Sequence, residues 1–278
     1  MYKNLFTMFY REIHVEKLNE PYYLIPMGDW HYDSPLCDRD RLHETLEWMK
    51  KKPRCMGFGM GDLWDFTAYK EGRTLSSVGL HEQTREVIEQ QGHRNVETMY
   101  SKIKGIDWLG FLLGNHDFHF ADGTSTTTRL CARLGVPFLG VLTLFRLSFR
   151  HTERNCQTID IYAHHGKGAS RLMGGSINRV YQMAESMQAD IFLMGHDHKG
   201  AVAPEPILVP QFRNGRMSLK QRKRYFLRTG SFLKGLESGE GSYVAGAAGK
   251  QTHIGCPKIE LTPKKGGGNF HVDVHVSI

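Results

Sequence analysis

The chain has 278 residues, of which 40% are hydrophobic and 23% are charged, and its formal net charge is +7. This composition is typical of a globular protein with a sizeable core. Its apolar runs are too short to span a bilayer, and residues 1–18 lack the apolar stretch of a signal peptide. We therefore expect a cytoplasmic protein without a membrane partner. Five cysteines without a C-x-x-C pair argue against a disulfide framework or cysteine-bound metal.

Short apolar segments that end in polar residues recur along the first part of the chain. Most of them lack the alternation of half-exposed strands, a pattern typical of strands buried on both faces. In chain order these segments are 22–30, 55–65, 108–117, 159–166 and 191–200.

Helical periodicity separates several of these strands. Apolar spacing predicts one helix over 42–49 that ends before Pro53, and a second helix over 96–103. An apolar stripe over 177–187 predicts a third helix, with Ser176 as its N-cap. Strands that alternate with helices predict βαβ units and an α/β fold.

Two parts of the chain interrupt this alternation. No helix follows residues 138–149 before the next strand, which predicts a hairpin and hence a mixed sheet or two packed sheets. From residue 200 onward, short strands alternate with glycine-rich loops. We predict one domain over 1–278, in which 200–278 add strands of the second sheet or, as an alternative, form a small β subdomain.

Each of the five predicted strands ends in carboxylate, amide or imidazole side chains. In open α/β sheets ligands bind beyond the carboxyl ends of the strands, so these side chains are expected to converge. Mixed nitrogen and oxygen donors suit Mn, Fe, Zn, Co or Ni better than Ca or Mg. Their number suffices for two ions if a carboxylate bridges, an arrangement typical of displacement at phosphorus. The candidate ligands are Asp29, His31, Asp62, Asn115, His164 or His165, His196 and His198.

The local spacing of these residues supports convergence. Asp29 and His31, like His196 and His198, are two residues apart, and such residues point to one side of an extended backbone. Glycines stand directly before four of the polar tips and allow the backbone to turn and approach closely. They are Gly28, Gly61, Gly114 and Gly195.

Five motifs in this order resemble those of the calcineurin-like metallophosphoesterases. They are G-D-x-H at 28–31, G-D-x-x-D at 61–65, G-N-H-D at 114–117, a histidine at a strand end, and G-H-x-H at 195–198. A single motif of this kind is weak, whereas five in order are specific. The resemblance implies a layered α/β sandwich of mixed sheets flanked by helices. It also implies hydrolysis of a phosphomonoester or phosphodiester by a hydroxide that two divalent ions activate, with manganese favoured.

The resemblance also implies individual roles. The first ion would be held by Asp29, His31 and His198, the second by Asn115, His196 and the strand-end histidine, with Asp62 as the bridge. His116 would contact the phosphate and protonate the leaving oxygen, Asp117 would orient His116, and Asp65 would lie outside the ligand shell.

The strand-end histidine is ambiguous because two histidines are adjacent. Neighbours on a strand point to opposite sides, so one is expected to bind metal. We assign the ligand to His164 and leave His165 either to contact substrate or simply to pack, and the reverse assignment stays open.

Two further segments carry charge. Residues 166–175 lack the spacing of a nucleotide P-loop and form either a plain connector or a site where Lys167 and Arg171 neutralise substrate phosphate. The basic run 213–228 is either a solvated edge strand or a nucleic acid surface, with Tyr225 and Phe226 for stacking.

The leading hypothesis is a dinuclear phosphoesterase, acting as a phosphodiesterase or a phosphatase on a phosphate-ester substrate. The basic charge slightly favours a phosphodiester. A DNA or RNA nuclease of the same superfamily is the alternative. A scaffold that keeps the fold without the chemistry belongs to a different class, and missing ligands would mark it; none is missing here. The substrate, the native metal and the oligomeric state stay open.

Overall fold

The computed structural model describes residues 6–66, 81–168, 170–213, 215–236, 253–266 and 269–278. Its strands are β1 (Phe6–His14), β2 (Tyr22–Met27), β3 (Cys55–Gly59), β4 (Asp107–Phe111), β5 (Leu142–Thr152), β6 (Asn155–His164), β7 (Ile191–Met194), β8 (Gly200–Arg213), β9 (Arg216–Thr229), β10 (Lys258–Gly266) and β11 (Asn269–Ser277). Its helices are α1 (Arg39–Lys51), α2 (Glu82–Ile103), α3 (Thr126–Leu134) and α4 (Met173–Gln182).

The strands form two mixed sheets that pack face to face. One sheet has the order β1-β5-β6-β7-β9-β8, and the other has the order β11-β10-β2-β3-β4. Their facing sides share one apolar core, to which Phe58 and Ile259 contribute from one sheet and Phe145 and Leu227 from the other. Helices α1, α2 and α3 cover the outer side of the five-stranded sheet, and α4 covers the other sheet. The predicted layered α/β sandwich is confirmed.

Full coverage of both faces explains the apolar runs. Every residue of β2, β3 and β7 is buried, so no alternation of polar and apolar residues arises in these strands. β2, β3 and β4 run parallel, as do β6 and β7, so their carboxyl ends lie together. The predicted hairpin is also present, because β5 pairs antiparallel with β6.

The helices follow the predicted periodicity, with differences at their ends. The α1 helix buries Leu42, Leu46 and Met49, as predicted. The α2 helix begins at Glu82, well before the predicted segment. The α3 helix was not predicted, although Ser125 caps its start. No helix in the described part of the chain is long and apolar enough to cross a membrane.

The N-cap prediction for Ser176 is wrong. Leu172 precedes α4, and Ser176 lies buried inside the helix. Instead, its hydroxyl donates a hydrogen bond to the carboxylate of Asp197.

The C-terminal strands divide between the two sheets instead of staying together. The β8–β9 hairpin extends the six-stranded sheet, whereas β10 and β11 join the other sheet beside β2. Each sheet therefore contains strands from both ends of the chain.

We predict that Phe145→Ala lowers the free energy of unfolding by about 3–5 kcal/mol, because a large cavity would open between the sheets. The Phe145 ring stacks on Phe58 at 4.8 Å between centroids, and both side chains are fully buried. Urea denaturation measures the change. Val87→Ala, at a side chain that is 63% exposed, is the control and should be nearly neutral. A loss below about 1 kcal/mol at Phe145 would contradict this packing.

Candidate metal centre

Loops after five strands bring most of the predicted ligands into one cleft. Asp29 and His31 follow β2, Asp62 follows β3, and Asn115 follows β4. The remaining contributors come from the ends of β6 and β7 and are His165, His196 and His198. Asp29, His31 and Asp62 are at most 1% exposed, so the cleft holds carboxylates and imidazoles that are almost entirely removed from water.

The first group of donor atoms belongs to Asp29, His31 and His198. One atom from each lies within 4.8 Å of the others. The Nε2 atoms of His31 and His198 are 3.2 Å apart, and His198 Nε2 is 3.5 Å from Asp29 Oδ1. The other ring nitrogen of His31, Nδ1, is buried without a hydrogen-bond partner. These donors face each other at the distances expected of atoms that share a cation.

The second group belongs to Asp62, His165 and His196, whose donor atoms also lie within 4.8 Å of one another. His165 Nε2 is 3.1 Å from Asp62 Oδ2. Asn115 Oδ1 lies between the two rings, 3.1 Å from His165 Nε2 and 2.7 Å from His196 Nδ1. The amide predicted as a ligand therefore points its oxygen at both imidazoles.

His165, and not His164, occupies the position predicted for the strand-end ligand. The backbone carbonyl of Met60 contacts His165 Nδ1 at 2.7 Å, which presents Nε2 to the cleft. The His164 ring turns back on its own loop and accepts a hydrogen bond from the Gly166 amide. Since β6 ends at His164, the next residue is free to leave the strand direction and face the other ligands.

The ligand loops do not have the extended backbone that the spacing argument assumed. Five ligand residues have a positive φ, between 45° and 74°. They are Asp29, His31, Asp62, His196 and His198. Left-handed backbone costs a non-glycine residue about 1–2 kcal/mol, and such strain clusters at functional sites. The paired residues thus converge through tight bends beyond the strands, and the reason given from the sequence was wrong.

The two buried carboxylates connect the loops to each other. Asp29 accepts a hydrogen bond from the backbone amide of His196 at 3.0 Å, and Asp62 accepts one from the amide of His116 at 2.9 Å. The backbone carbonyl of Asp29 accepts a further bond from the Ser231 hydroxyl. Each carboxylate thereby binds the backbone of a loop that follows a strand other than its own.

Close approach explains two of the glycines. A Cβ at Gly114 would lie 1.9 Å from Asp62 Oδ1 and 2.2 Å from the Asp62 amide nitrogen. A Cβ at Gly195 would lie 2.7 Å from Asp29 Oδ2. Both carboxylates are in place because the neighbouring backbone carries no side chain there.

The electrostatics of the cleft fit divalent cations. Burial raises the pKa of Asp29 to about 7 and lowers the pKa of His31 to about 4. Burial would also raise the pKa of Asp62, but the imidazoles around it, chiefly His165, hold that pKa below its usual value. A cation would favour the ionised form of Asp29, and His31 already has the neutral ring that a metal ligand needs.

His116 has a partner other than the one predicted. Its Nδ1 lies 2.6 Å from Asp65 Oδ1, so Asp65 orients this ring. Asp117 is fully buried and accepts hydrogen bonds from the hydroxyls of Thr126 and Thr127, both at 2.9 Å. The carboxylate predicted to orient His116 instead holds the first turn of α3.

Sequence reasoning counted Arg228 only as part of the basic run 213–228 and missed its place beside the cleft. Its guanidinium, 1% exposed, donates to the Gly195 carbonyl at 2.8 Å and to the Ser176 carbonyl, and lies 3.5 Å from Asp197 Oδ2. This network supports the loop that carries His196 and His198. The available signal was an arginine that directly follows the apolar residues 225–227.

The two basic side chains predicted to neutralise the substrate phosphate lie outside the cleft. Lys167 and Arg171 are exposed on the loop between β6 and α4. Among the described residues, no contact joins either side chain to the donor groups. The backbone carbonyl of Lys167 accepts a hydrogen bond from Arg179 at 2.6 Å.

Comparison with known proteins gives only distant similarities. No family model and no curated protein matches the sequence. A solved structure of a single mutant of Vps29 from Entamoeba histolytica has 12% identity and a TM-score of 0.37, covering 92% of this chain and 99% of that one. Vacuolar Protein Sorting 29 from Cryptosporidium parvum has 13% identity and a TM-score of 0.32, covering 92% and 98%. Similarity at this level carries no functional argument.

We predict that Gly114→Ala lowers the affinity for Mn²⁺ at least about tenfold, because the new Cβ would displace Asp62. Isothermal titration of the purified protein with MnCl₂ measures the affinity. Gly174→Ala is the matched control, since a Cβ there meets nothing within 4 Å. Equal Mn²⁺ affinity in the Gly114 variant and the native protein would show that Asp62 is not a ligand.

Proposed function

We propose that the chain is a metal-dependent phosphoesterase of the calcineurin-like superfamily. The observation that carries this proposal is that donor groups in one cleft each combine a carboxylate with imidazoles. Two of the three groups in the described part of the chain share no residue, and they are Asp29, His31, His198 and Asp62, His165, His196. The third, His31, Asp65 and His116, shares His31 with the first. The order of motifs along the sequence supports it, because each motif contributes to that cleft. The scaffold hypothesis is disfavoured, since each expected donor position is filled, with His165 in place of His164 at the strand-end position.

The residues that would hold the metal follow from the two groups. Asp29, His31 and His198 would bind one ion, and Asn115, His165 and His196 the other, with Asp62 between them. Their nitrogen and oxygen donors suit Mn²⁺ and related ions. Bound ions would neutralise charge on a phosphoryl group and make water more acidic.

His116 is proposed to act on the substrate. Because Asp65 holds Nδ1, the ring directs Nε2 towards the cleft, 3.9 Å from Asp62 Oδ2. The ring also packs edge-on against His31, with centroids 4.6 Å apart. In that position a protonated His116 donates its Nε2 proton to the leaving oxygen of the ester, while the Asp65 carboxylate stabilises the charged ring.

The substrate is proposed to be a phosphodiester or a phosphomonoester. The nuclease alternative has lost part of its support, because the two aromatic residues of the basic run are not available to bases. Tyr225 donates a hydrogen bond to the Val274 carbonyl, and Phe226 is fully buried against Tyr181. Nucleic acid binding then depends on the exposed cations alone, which makes it strongly salt-dependent.

We predict that Asp62→Asn abolishes Mn²⁺-stimulated hydrolysis of bis(p-nitrophenyl) phosphate and reduces bound metal, because a carboxylate central to the cleft is lost. Metal content and initial rates are measured on the same preparation, and circular dichroism reports folding. Asp107→Asn, at a half-exposed carboxylate paired with Arg11, is the matched control and should keep full activity. A folded Asp62 variant with near-native rates would overturn the proposal.

We predict that His116→Ala lowers turnover by about a hundredfold while Mn²⁺ binding is retained, since a proton donor is lost and the ligands stay. Asp65→Asn should lower turnover less, and the double variant should resemble His116→Ala alone, because Asp65 acts through the ring. His14→Ala, at a largely exposed ring on β1, is the control. Multiplicative losses from Asp65 and His116 would contradict this coupling.

A further inference from the structure

The β8–β9 hairpin continues past the sheet to which it belongs. Only residues 225–228 of β9 pair with β7. The preceding part of β9 pairs with β8 alone, as far as the pair Arg213 and Arg216 next to the turn. At about 3.3 Å per residue, the outer part of this ribbon lies on the order of 30 Å from the end of β9 that supports the metal centre.

The outer ribbon has two different faces. Directly paired residues of an antiparallel ribbon share a face. One face carries cations with partners: Arg224 donates to Glu205 at 3.0 Å, and Arg222 donates to Asp190 at 2.6 Å. The other face carries the pairs Phe212–Met217 and Pro210–Leu219, followed by Leu208 opposite Gln221.

This second face, the apolar hairpin face, consists of Leu208, Pro210, Phe212, Met217 and Leu219. Its four large side chains are 63–76% exposed. Isolated exposed apolar residues are ordinary, but a contiguous stripe on a projecting ribbon is typical of an interaction surface. Nothing in the described part of the chain covers it.

The free edge of β8 is protected against strand addition. Pro204, Pro206 and Pro210 stand at alternate positions of β8 and have no amide hydrogen to donate. Because β8 pairs regularly with β9, the nitrogens of these prolines face the outer edge. A partner is therefore expected to cover the apolar hairpin face and not to extend the sheet.

We propose that the apolar hairpin face binds the same face of a second copy of the chain. Charge placement favours this partner, because Lys220 and Arg222 lie on the opposite face and point away from such a contact. Only Lys223 shares the apolar side. An acidic protein or an anionic membrane would instead be matched by cations around the apolar stripe, as in basic amphipathic segments.

The size of the contact fits a reversible homodimer. At on the order of 100 Å² for each of its five apolar residues, two copies of the face would bury roughly 1,000 Å² in total, which is in the range of weak, transient interfaces. A two-fold axis brings identical stripes together without further residues. The dimer should therefore form and dissociate with protein concentration.

Analytical ultracentrifugation of the full chain over a wide concentration range tests this proposal. We predict a monomer–dimer equilibrium whose Kd rises by about tenfold or more in the double variant Met217→Gln, Leu219→Gln, because apolar contact is lost from both copies. The control is Ser218→Gln, Lys220→Gln, on the same strand but on the opposite face, and its Kd should be unchanged. Circular dichroism confirms that each variant is folded.

Three outcomes would overturn the proposal. One is a native protein that is monomeric at every concentration. Another is a control variant that dissociates as much as the apolar-face variant. The third is a monomer that sediments with anionic phosphatidylserine vesicles and loses this binding in the apolar-face variant, which would assign the face to a membrane. Hydrolysis by the metal centre is measured separately, so failure of either proposal is recognised independently.

Discussion

Two carboxyl groups buried at the edge of the sheets determine the arrangement of the candidate site. Asp29 and Asp62 are 0% and 1% exposed, and ions removed from water in this way cost several kcal/mol each unless they are compensated. Part of the compensation comes from backbone amides of His196 and His116, which the carboxylates hold in place. The rest comes from the imidazoles around them. Divalent cations would compensate the remaining negative charge. The metal site and the conformations of its loops therefore have the same physical explanation.

The layered fold supplies the rigidity that this arrangement needs. Parallel strands whose residues are all buried end at the cleft, so the loops begin from fixed points. The left-handed residues in those loops are strained, and strain of this kind persists only where the surroundings determine the conformation. Arg228, near the end of β9, holds the Gly195 carbonyl next to two of the ligands. The same strand begins in the projecting hairpin, so β9 reaches from the proposed dimer contact to the metal centre.

The sequence was sufficient to predict which segments meet, because four of the strands that lead to the cleft are followed within three residues by glycine and then a polar residue, and β6 ends at the first of two adjacent histidines. It could not distinguish His164 from His165, since that choice depends on where β6 ends to within one residue. It also misassigned the partner of His116. Asp117 is adjacent in sequence, but its carboxylate is bound by hydroxyls of α3, a helix that was not predicted. Both errors concern side-chain direction, which is set by tertiary contacts and not by local spacing.

Anomalous diffraction from a crystal grown with manganese is the most direct test of the central claim. The account predicts two manganese peaks about 3.5–4 Å apart, one against Asp29, His31 and His198 and the other against His165 and His196, with Asp62 between them. A well-ordered cleft without manganese, or with its ions bound elsewhere on the surface, would contradict it.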